Sequence, residues 1–375
     1  MADAAPLAHA RPMTRVPDLI AAVARAGERA PPGAIYADPD FASWERERIF
    51  RHAWQPVGRI DELPEQGSYI THRILDTPIA VVRQADGGVK AFVNVCRHRG
   101  AELLRGDGCS RAITCPYHAW SYELDGRLAV APFTGADFKT DGIALIELPL
   151  DLWQGWIFVA LDPDEAPPSA ALGDLEKRIA PRDMNARVML FRADEVWACN
   201  WKTAVENFSE GYHIFSAHRT SLPGARPDRD VRNEPGGPNY SIHWSTSGFE
   251  RTAQPAGKAT EHPLVALFPN HLFFLISDRG LWMTPQPDGP MRTRVRWGAT
   301  AEARTLPADP DARRSHIARI RAAYEKVNAE DRAICEGIAR GSAAPGTGNG
   351  PVAPAEASLI DFWRWLARRL AGAGA

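Results

Sequence analysis

The sequence is poor in cysteine and has no excess of charge of either sign. Five cysteines are scattered over 375 residues, an odd and sparse set that argues against a disulfide framework and favours metal ligation. Lys and Arg number 44 against 46 Asp and Glu, a formal net charge of -2. No basic excess therefore points to nucleic acid or to an anionic membrane surface, and small molecules or proteins are the expected partners.

Long apolar runs and targeting signals are also missing. The longest apolar stretch, residues 143–161, is interrupted by Glu147 and Asp151 and is too broken to span a bilayer. The amino terminus contains Asp3 and Asp18 and has no basic region leading into an apolar block. We therefore expect no signal peptide, no membrane span and a cytoplasmic protein.

The length of the chain predicts two domains, because 375 residues exceed one compact core. From about Gly58, short alternating runs split by Asp-Gly and Gly-Gly turns predict antiparallel strands. The Pro- and Asp-rich residues 161–174 predict a boundary. Beyond it we expect mixed helices and strands, with helices near 201–213 and 310–341 and an amphipathic helix at 358–372.

Two short Cys/His pairs lie within the strand-rich part, Cys96-x-His98 and Cys115-x2-His118, separated by 16 residues. Zinc sites usually place both cysteines on one loop and both histidines on another. A Rieske 2Fe-2S centre needs two thiolates on one iron and two imidazoles on the other, so loops that each serve both irons produce two mixed pairs. A mixed-ligand zinc site is the alternative. Cys109 has no partner at a suitable spacing and is expected to be a free loop thiol.

A second candidate site follows in residues 200–218. On a helix, Glu206, Glu210 and His213 fall at i, i+4 and i+7 and share one face. His218 lies about 140° further round, so it can reach the same metal only if the helix ends or bulges between the histidines. Two histidines and one carboxylate are typical of non-haem Fe(II) oxygenases.

On the helix pattern alone, two nearby histidines are more often ordinary polar residues than ligands. The Rieske-like pairs reverse that expectation, because an electron-delivering cluster needs an acceptor. The third ligand has to come from elsewhere, and the late stretch "NAEDRAICEG" offers Glu330, Asp331 and Glu336 without distinguishing among them.

Together these stretches resemble the catalytic α subunit of the Rieske non-haem iron oxygenases, from about residue 30 to the carboxyl end. The resemblance rests on "CRHRGAELL", "CPYHAWSYELDGRL", "NWKTAVENFSEGYHIFSAH" and "EDRAICEGIARG", in that family's order. It implies an α+β fold with an antiparallel-β Rieske domain inserted before a helix-grip catalytic domain, a curved antiparallel sheet with helices over it. The implied division is residues 1–45 as N-terminal helices on the catalytic domain, 46–162 as the Rieske domain and 163–375 as the catalytic domain.

Carried over residue by residue, the resemblance assigns the four cluster ligands. Cys96 and Cys115 would bind one iron, and His98 and His118 the other. Ala119 departs from the family, in which glycine is usual after the cluster histidine.

The resemblance also assigns the mononuclear site. His213, His218 and Asp331 match the ligands of a non-haem Fe(II), which settles the choice that the residues alone left open. Glu210 stands where the family has an acid that bridges a cluster histidine of one subunit and an iron histidine of the next, orienting both. A homotrimer is therefore implied.

The implied activity is that of an oxygenase component that uses O2. A separate reductase would draw electrons from NAD(P)H, and since no glycine-rich nucleotide fingerprint follows a strand here, it is expected to be another polypeptide. The chain would hydroxylate or N-demethylate a small organic substrate. Glutamate rather than aspartate at Glu210 resembles the branch that oxidises betaine-like and carnitine-like amines, which favours a quaternary or methylated amine.

Three alternatives remain. One is an aromatic ring-hydroxylating dioxygenase; the others, from different classes, are a Rieske electron carrier or a binding module without catalytic iron. Phe268, Phe273, Phe274 and Trp282 could line a pocket for a flat ring or, through cation–π contacts, for a quaternary ammonium group. Core packing is nevertheless the more frequent role for each of these residues.

Overall fold

The computed structural model describes residues 16–135, 137–246, 261–276, 279–342, 344 and 346–372. Part of the amino-terminal segment from which we expect no signal peptide, residues 1–15, lies outside these ranges. None of the helices within them combines the length and the apolar character that crossing a membrane requires.

The helices within the described ranges are α1 (Val16–Ala24), α2 (Ala34–Ala37), α3 (Pro39–Glu45), α4 (Pro168–Ala171), α5 (Gly173–Ile179), α6 (Trp201–Ser209), α7 (Ile214–Ala217), α8 (Pro227–Asp230), α9 (Pro310–Ser342) and α10 (Ser358–Ala371). The strands are β1 (Gln55–Arg59), β2 (Ser68–Ile74), β3 (Thr77–Arg83), β4 (Val89–Val93), β5 (Asp107–Cys109), β6 (Ile113–Thr114), β7 (Ser121–Tyr122), β8 (Leu128–Val130), β9 (Glu147–Leu148), β10 (Leu150–Trp153), β11 (Trp156–Val159), β12 (Arg187–Trp197), β13 (Val231–Gly237), β14 (Tyr240–Ser245), β15 (His262–Leu267), β16 (His271–Leu275), β17 (Arg279–Pro287) and β18 (Thr293–Glu302).

The first eleven strands form three small antiparallel sheets. Their strand orders are β5-β2-β3-β4-β9, β6-β7-β8 and β1-β11-β10. Alternation of buried and exposed side chains along β2 explains why a half-buried antiparallel sheet forms there. Cys109 lies on β5, opposite Ser68 of β2, and not in a loop as the sequence suggested. Its thiol is exposed and free, because β5 is an edge strand.

The remaining strands form one seven-stranded antiparallel sheet with the order β12-β18-β17-β16-β15-β14-β13. Since neighbouring side chains on a strand point to opposite faces, the register assigns whole rows of residues to one face. One row crosses four strands as Ile242, Val265, Phe273 and Trp282, all buried in one hydrophobic cluster. The adjacent row crosses the same strands on the opposite face, which α6 covers.

The first and last helices of the described chain pack on each other. α1 contacts α10, and isolated bridges join Arg29 to Pro351 and Pro32 to Gly348. The apolar stripe predicted for the last helix is buried, each large side chain contributing about 1.5–3 kcal/mol to folding; its members are Leu359, Phe362, Trp363, Leu366 and Leu370. Helix α9 packs against α6, α2 and β12. Helical segments from both ends of the chain thus support the large sheet.

Candidate metal centres and substrate pocket

The two Cys/His pairs lie on loops that share one hydrogen-bond pattern. The N–H of Cys96 donates to Ala101 O and the N–H of Cys115 to Trp120 O, each at 2.8 Å. The residue four positions after each cysteine returns an N–H to the cysteine carbonyl at 3.1 Å. That residue is in the left-handed region in both loops, Gly100 at φ 78° and Ala119 at φ 56°. The glycine that is usual after the second histidine thus corresponds to a position where Cβ is unfavourable.

The side chains of these loops separate into a buried and an exposed pair. Cys96 and Cys115 are each 3% exposed, and Tyr122 Oη lies 3.2 Å from Cys96 Sγ while accepting the Arg97 N–H. The imidazoles of His98 and His118 are exposed at the loop tips, with ring centroids 4.8 Å apart. Two sulfurs inside and two imidazoles outside match the donor set of a Rieske cluster, so the residues present fit that group.

Trp120 shields one of the two imidazoles. Its ring is 5% exposed and stacks on His98 with centroids 4.7 Å apart and planes 10° apart. Tyr117 lies against His118 with centroids 3.7 Å apart. Aromatic rings thus lie against both histidines and limit their rotation.

The helix expected to run through residues 201–213 is shorter than predicted. α6 ends at Ser209, and Glu210 is extended, at φ -127° and ψ 160°. The side chain of Glu210 accepts the backbone N–H groups of Tyr212 and His213, so it stabilises the turn that follows. Glu206, Glu210 and His213 therefore do not share one helical face. At Gly211 a Cβ would lie 2.5 Å from Val231 Cγ2, so a larger residue in this turn would require Val231 to shift.

This early helix end brings the second histidine to the first. His213 and His218 flank the short helix α7, and their ring centroids are 5.2 Å apart. Asp331 of α9 completes the group, with Oδ1 at 3.5 Å from His213 Nε2 and 3.0 Å from His218 Nε2. The three ligand atoms lie within 4.8 Å of one another.

A further carboxylate orients each imidazole. His213 Nδ1 lies 2.5 Å from Glu210 Oε1, and His218 Nδ1 lies 2.8 Å from Glu330 Oε2. A proton on Nδ1 leaves the lone pair of each Nε2 directed at Asp331. Asp331 Oδ1 is buried and receives no hydrogen bond of good geometry from the described residues. Two imidazole lone pairs and one carboxylate oxygen that converge in this way fit a divalent iron.

The electrostatics of the group agree with a cation site. Burial lowers the pKa of His213, but the nearby carboxylates of Asp331 and Glu210 outweigh it and raise the pKa to about 10. Burial raises the pKa of Asp331, yet the two nearby imidazoles leave it below its usual value. The cluster of groups therefore attracts positive charge to the point where the three ligand atoms converge.

Glu330 and Glu336, the other two acids considered for the third ligand, take different positions. Glu330 accepts hydrogen bonds from His218, from Thr220 Oγ1 at 2.9 Å and from Ser221 Oγ. Glu336 accepts the Ala198 N–H at 3.1 Å and pairs with Arg332, also of α9. Of the three acids, only Asp331 belongs to the group of converging ligand atoms.

A cavity of about 90 Å³ opens beside these ligand atoms. Its floor is a row of opposed residues across β14, β15, β16 and β17, and the register pairs them in sequence as His243, Leu264, Phe274 and Leu281. Its other lining residues come from α6, α9, the segment around α7 and the end of β14, and they are Asn207, Phe208, Glu210, His213, Ile214, His218, Leu222, Ser245, Val327 and Asp331.

Only one of the four aromatic residues proposed from the sequence lines this cavity. Phe274 does, whereas Phe273 and Trp282 lie on the opposite face of the sheet and Phe268 packs against Phe362 in the core. Phe208 and His243 also line the cavity, and neither was predicted from the sequence. The alternation along β14 assigns His243 to one face of the sheet, but which face lines the cavity depends on the neighbouring strands, whose positions the sequence does not give.

A buried charged cluster supports α6 from behind. Lys202 Nζ lies 2.7 Å from Glu45 Oε1, and the two side chains are 0% and 1% exposed. Glu206 accepts from Tyr36 Oη and, at 2.8 Å, from Trp363 Nε1. Burial, partly offset by these hydrogen bonds, raises the pKa of Glu206 to about 7. The cluster joins helices α2, α3, α6 and α10 next to the segment that carries His213.

Comparison with known families yields two separate matches. Residues 53–147 match the Rieske [2Fe-2S] domain, and residues 177–372 match the ring hydroxylating alpha subunit (catalytic domain). The expected order, an antiparallel-β Rieske domain before a catalytic domain with a curved sheet and helices, is confirmed. The domain limits at residues 45 and 162 remain predictions.

Individual proteins extend the comparison. The glycine betaine monooxygenase oxygenase subunit of Chromohalobacter salexigens is 38% identical over 215 residues, 57% of this chain and 47% of that protein. The chain thus spans about half the length of this relative. The chloroplastic choline monooxygenase of Beta vulgaris is 29% identical over 349 residues, 90% of this chain and 76% of that protein. The crystal structure of the quaternary ammonium Rieske monooxygenase CntA with L-carnitine has a TM-score of 0.78 at 24% identity, covering 94% of this chain and 98% of that chain, which demonstrates a common fold.

Proposed function

The chain belongs to the family of ring-hydroxylating alpha subunits, and on that premise we propose that it is the oxygenase component of a Rieske monooxygenase acting on a quaternary ammonium compound. One observation carries the proposal: His213, His218 and Asp331 converge within 4.8 Å at the edge of a largely apolar cavity. The named relatives that oxidise glycine betaine and choline support the substrate class.

Two sets of residues form two separate metal centres. Cys96, His98, Cys115 and His118 hold the 2Fe-2S cluster, and the triad His213, His218 and Asp331 holds the non-haem iron. When bound, these groups supply single electrons and a centre for the activation of O2, the latter being chemistry that no side chain offers. The electron source is a separate reductase, which takes electrons from NAD(P)H.

The protein's own contribution at the second centre is positioning and desolvation. Glu210 and Glu330 keep the Nδ1 protons of His213 and His218 in place, so that both Nε2 atoms remain available as ligands. Leu264, Phe274 and Leu281 provide an apolar floor that excludes water from the substrate. The carboxylate of Glu210, which is not one of the metal ligands, and the aromatic ring of Phe274 favour a cationic head group over a neutral aromatic ring.

The activity test uses purified protein with a surrogate reductase, NADH, O2 and choline, glycine betaine or carnitine. We expect substrate-dependent O2 uptake with formation of an oxidised amine, and formaldehyde if a methyl group is removed. Asp331→Ala should abolish product while the visible spectrum of the cluster persists. The matched control is Glu325→Ala, which removes an exposed acid of the same helix that pairs only with Arg321 among the described residues. An active Asp331→Ala protein would refute the assignment.

We further propose a homotrimer in which His118 of one chain faces Glu210 of the next. Within the described part of one chain, Glu210 makes no hydrogen bond to either His98 or His118, which supports a bridge between the two centres that involves a second copy. Tyr212 and Phe215, exposed beside this acid, offer an apolar surface for that contact. The same proposal places the protein in the cytoplasm, where NAD(P)H is available to a reductase.

Mixing two inactive variants tests the assembly. His118→Ala lacks a cluster ligand and Asp331→Ala lacks an iron ligand, so each is inactive alone. After co-expression, mixed trimers should regain part of the activity, because an intact cluster of one chain then neighbours an intact iron site of another. Absence of any recovery in trimers shown to contain both chains would contradict transfer between subunits.

A further inference from the structure

His243 is the one polar member of the row that forms the cavity floor. The register places it opposite Leu264, which lies opposite Phe274, which in turn lies opposite Leu281. Three apolar side chains therefore continue the row across β15, β16 and β17, and the imidazole ends it at β14. The floor thus has a polar end and an apolar end.

The imidazole of His243 is buried without a settled partner. It is 1% exposed, and neither Nδ1 nor Nε2 makes a hydrogen bond of good geometry with the described residues. The Ser209 carbonyl interacts with the ring without reaching that geometry, and this carbonyl already accepts from Ser358 Oγ at 2.5 Å. Burying such a polar group lowers the stability of the protein unless a group in the cavity forms a hydrogen bond with it.

The ring is also neutral, since burial lowers the pKa of His243 to about 4. A neutral imidazole has one N–H and one lone pair. When the N–H is turned to the Ser209 carbonyl, the other nitrogen is left as an acceptor toward the cavity. A hydroxyl can donate to it, whereas a carboxylate, which only accepts, would meet a lone pair.

The rest of the lining points in the same direction. Among the described residues that line the cavity, none is a lysine or an arginine that could pair with a substrate carboxylate. Glu210, an acid that is not a metal ligand, also lines the cavity. The described lining thus suits a cation that carries a hydroxyl better than a zwitterion that relies on its carboxylate.

We propose that His243 determines substrate specificity by accepting a hydrogen bond from a hydroxyl group of the quaternary ammonium substrate. The inference rests on the proposed function and narrows its substrate class to hydroxylated trimethylammonium compounds.

Two pairs of compounds that differ by one hydroxyl test this role. Choline is compared with ethyltrimethylammonium, and carnitine with γ-butyrobetaine, each by kcat/KM from O2 uptake and by calorimetric titration without O2. In the unaltered protein we expect the hydroxylated member of an accepted pair to be favoured by about tenfold, the value of one neutral hydrogen bond in a buried site. The preference should appear in KM and in the binding constant.

The variants separate recognition from folding. His243→Leu should reduce the preference within each pair to less than twofold, and His243→Gln, which keeps an acceptor, should retain most of it. The matched control is His271→Leu on β16, because His271 is also 1% exposed with neither nitrogen bonded, yet packs against Trp156 outside the cavity. It should keep the preference of the unaltered protein.

The outcomes distinguish the role of His243 from the proposed substrate class. Equal rates within each pair, or a preference that survives in His243→Leu, would overturn the role of His243 while leaving the oxygenase function intact. Failure to bind or oxidise any of the four compounds would refute the substrate class itself, and the inference with it.

Discussion

Removal of Glu330 tests whether the acids behind the two histidines matter for the metal. Glu330 accepts a hydrogen bond from His218 Nδ1 at 2.8 Å, and it also accepts hydrogen bonds from the hydroxyl groups of Thr220 and Ser221. Glu330→Ala removes all three interactions and frees the His218 ring to rotate or change tautomer. Loss of an acid in this position typically weakens metal binding by about 10–100-fold, or about 1.4–2.7 kcal/mol.

The measurement is Fe(II) affinity at the mononuclear site by anaerobic competition with a chelator, with total iron per chain determined in parallel. Glu330→Gln keeps one acceptor oxygen and should lose less than Glu330→Ala. Glu325→Ala changes an exposed acid of the same helix and should bind iron normally. If Glu330→Ala binds Fe(II) within twofold of the unaltered protein, with its cluster spectrum unchanged, the orienting role is wrong.

Three further predictions concern stability. Lys202→Met leaves Glu45 buried without its ion-pair partner and should lower the free energy of unfolding, measured by urea titration, by about 3–5 kcal/mol. Adding Glu45→Gln should restore much of this loss. A loss below about 1 kcal/mol in Lys202→Met would contradict the prediction. Because burial raises the pKa of Glu206 to about 7, its contribution to folding stability is complete below about pH 4.5 and is lost as the pH rises through 7. Glu206→Gln should remove this pH dependence from thermal unfolding measured at a series of pH values. Ala119→Gly relieves a left-handed alanine and should stabilise the second loop by about 1 kcal/mol in denaturant titrations, whereas destabilisation would show that φ 56° carries no strain.

Local spacing was sufficient to identify the cluster loops. Each Cys/His pair lies within a four-residue turn, so its members are neighbours whatever the rest of the fold does. The late helix and the buried stripe of α10 were likewise predictable, because a 3.6-residue period over many turns has few alternatives. The family matches confirm the order of the two domains.

The second site shows where local patterns fail. The helical period continues past Ser209, but the side chain of Glu210 competes for the next backbone N–H groups and ends the helix there. Asp331 lies more than a hundred residues further along, and spacing alone could not separate it from Glu330. His243 and Phe274 meet only through the register of three strands, which no local pattern contains.

The contact between α1 and α10 has a consequence for biosynthesis. The first eleven strands are complete at Val159, well before the last helix leaves the ribosome, whereas α1, which also contacts α3, has to wait for α10 before its packing is complete. The early helices therefore emerge first yet gain their final surroundings last. Nascent chains stalled before residue 358 should contain an assembled Rieske part beside an exposed apolar α1, a form that chaperones would recognise.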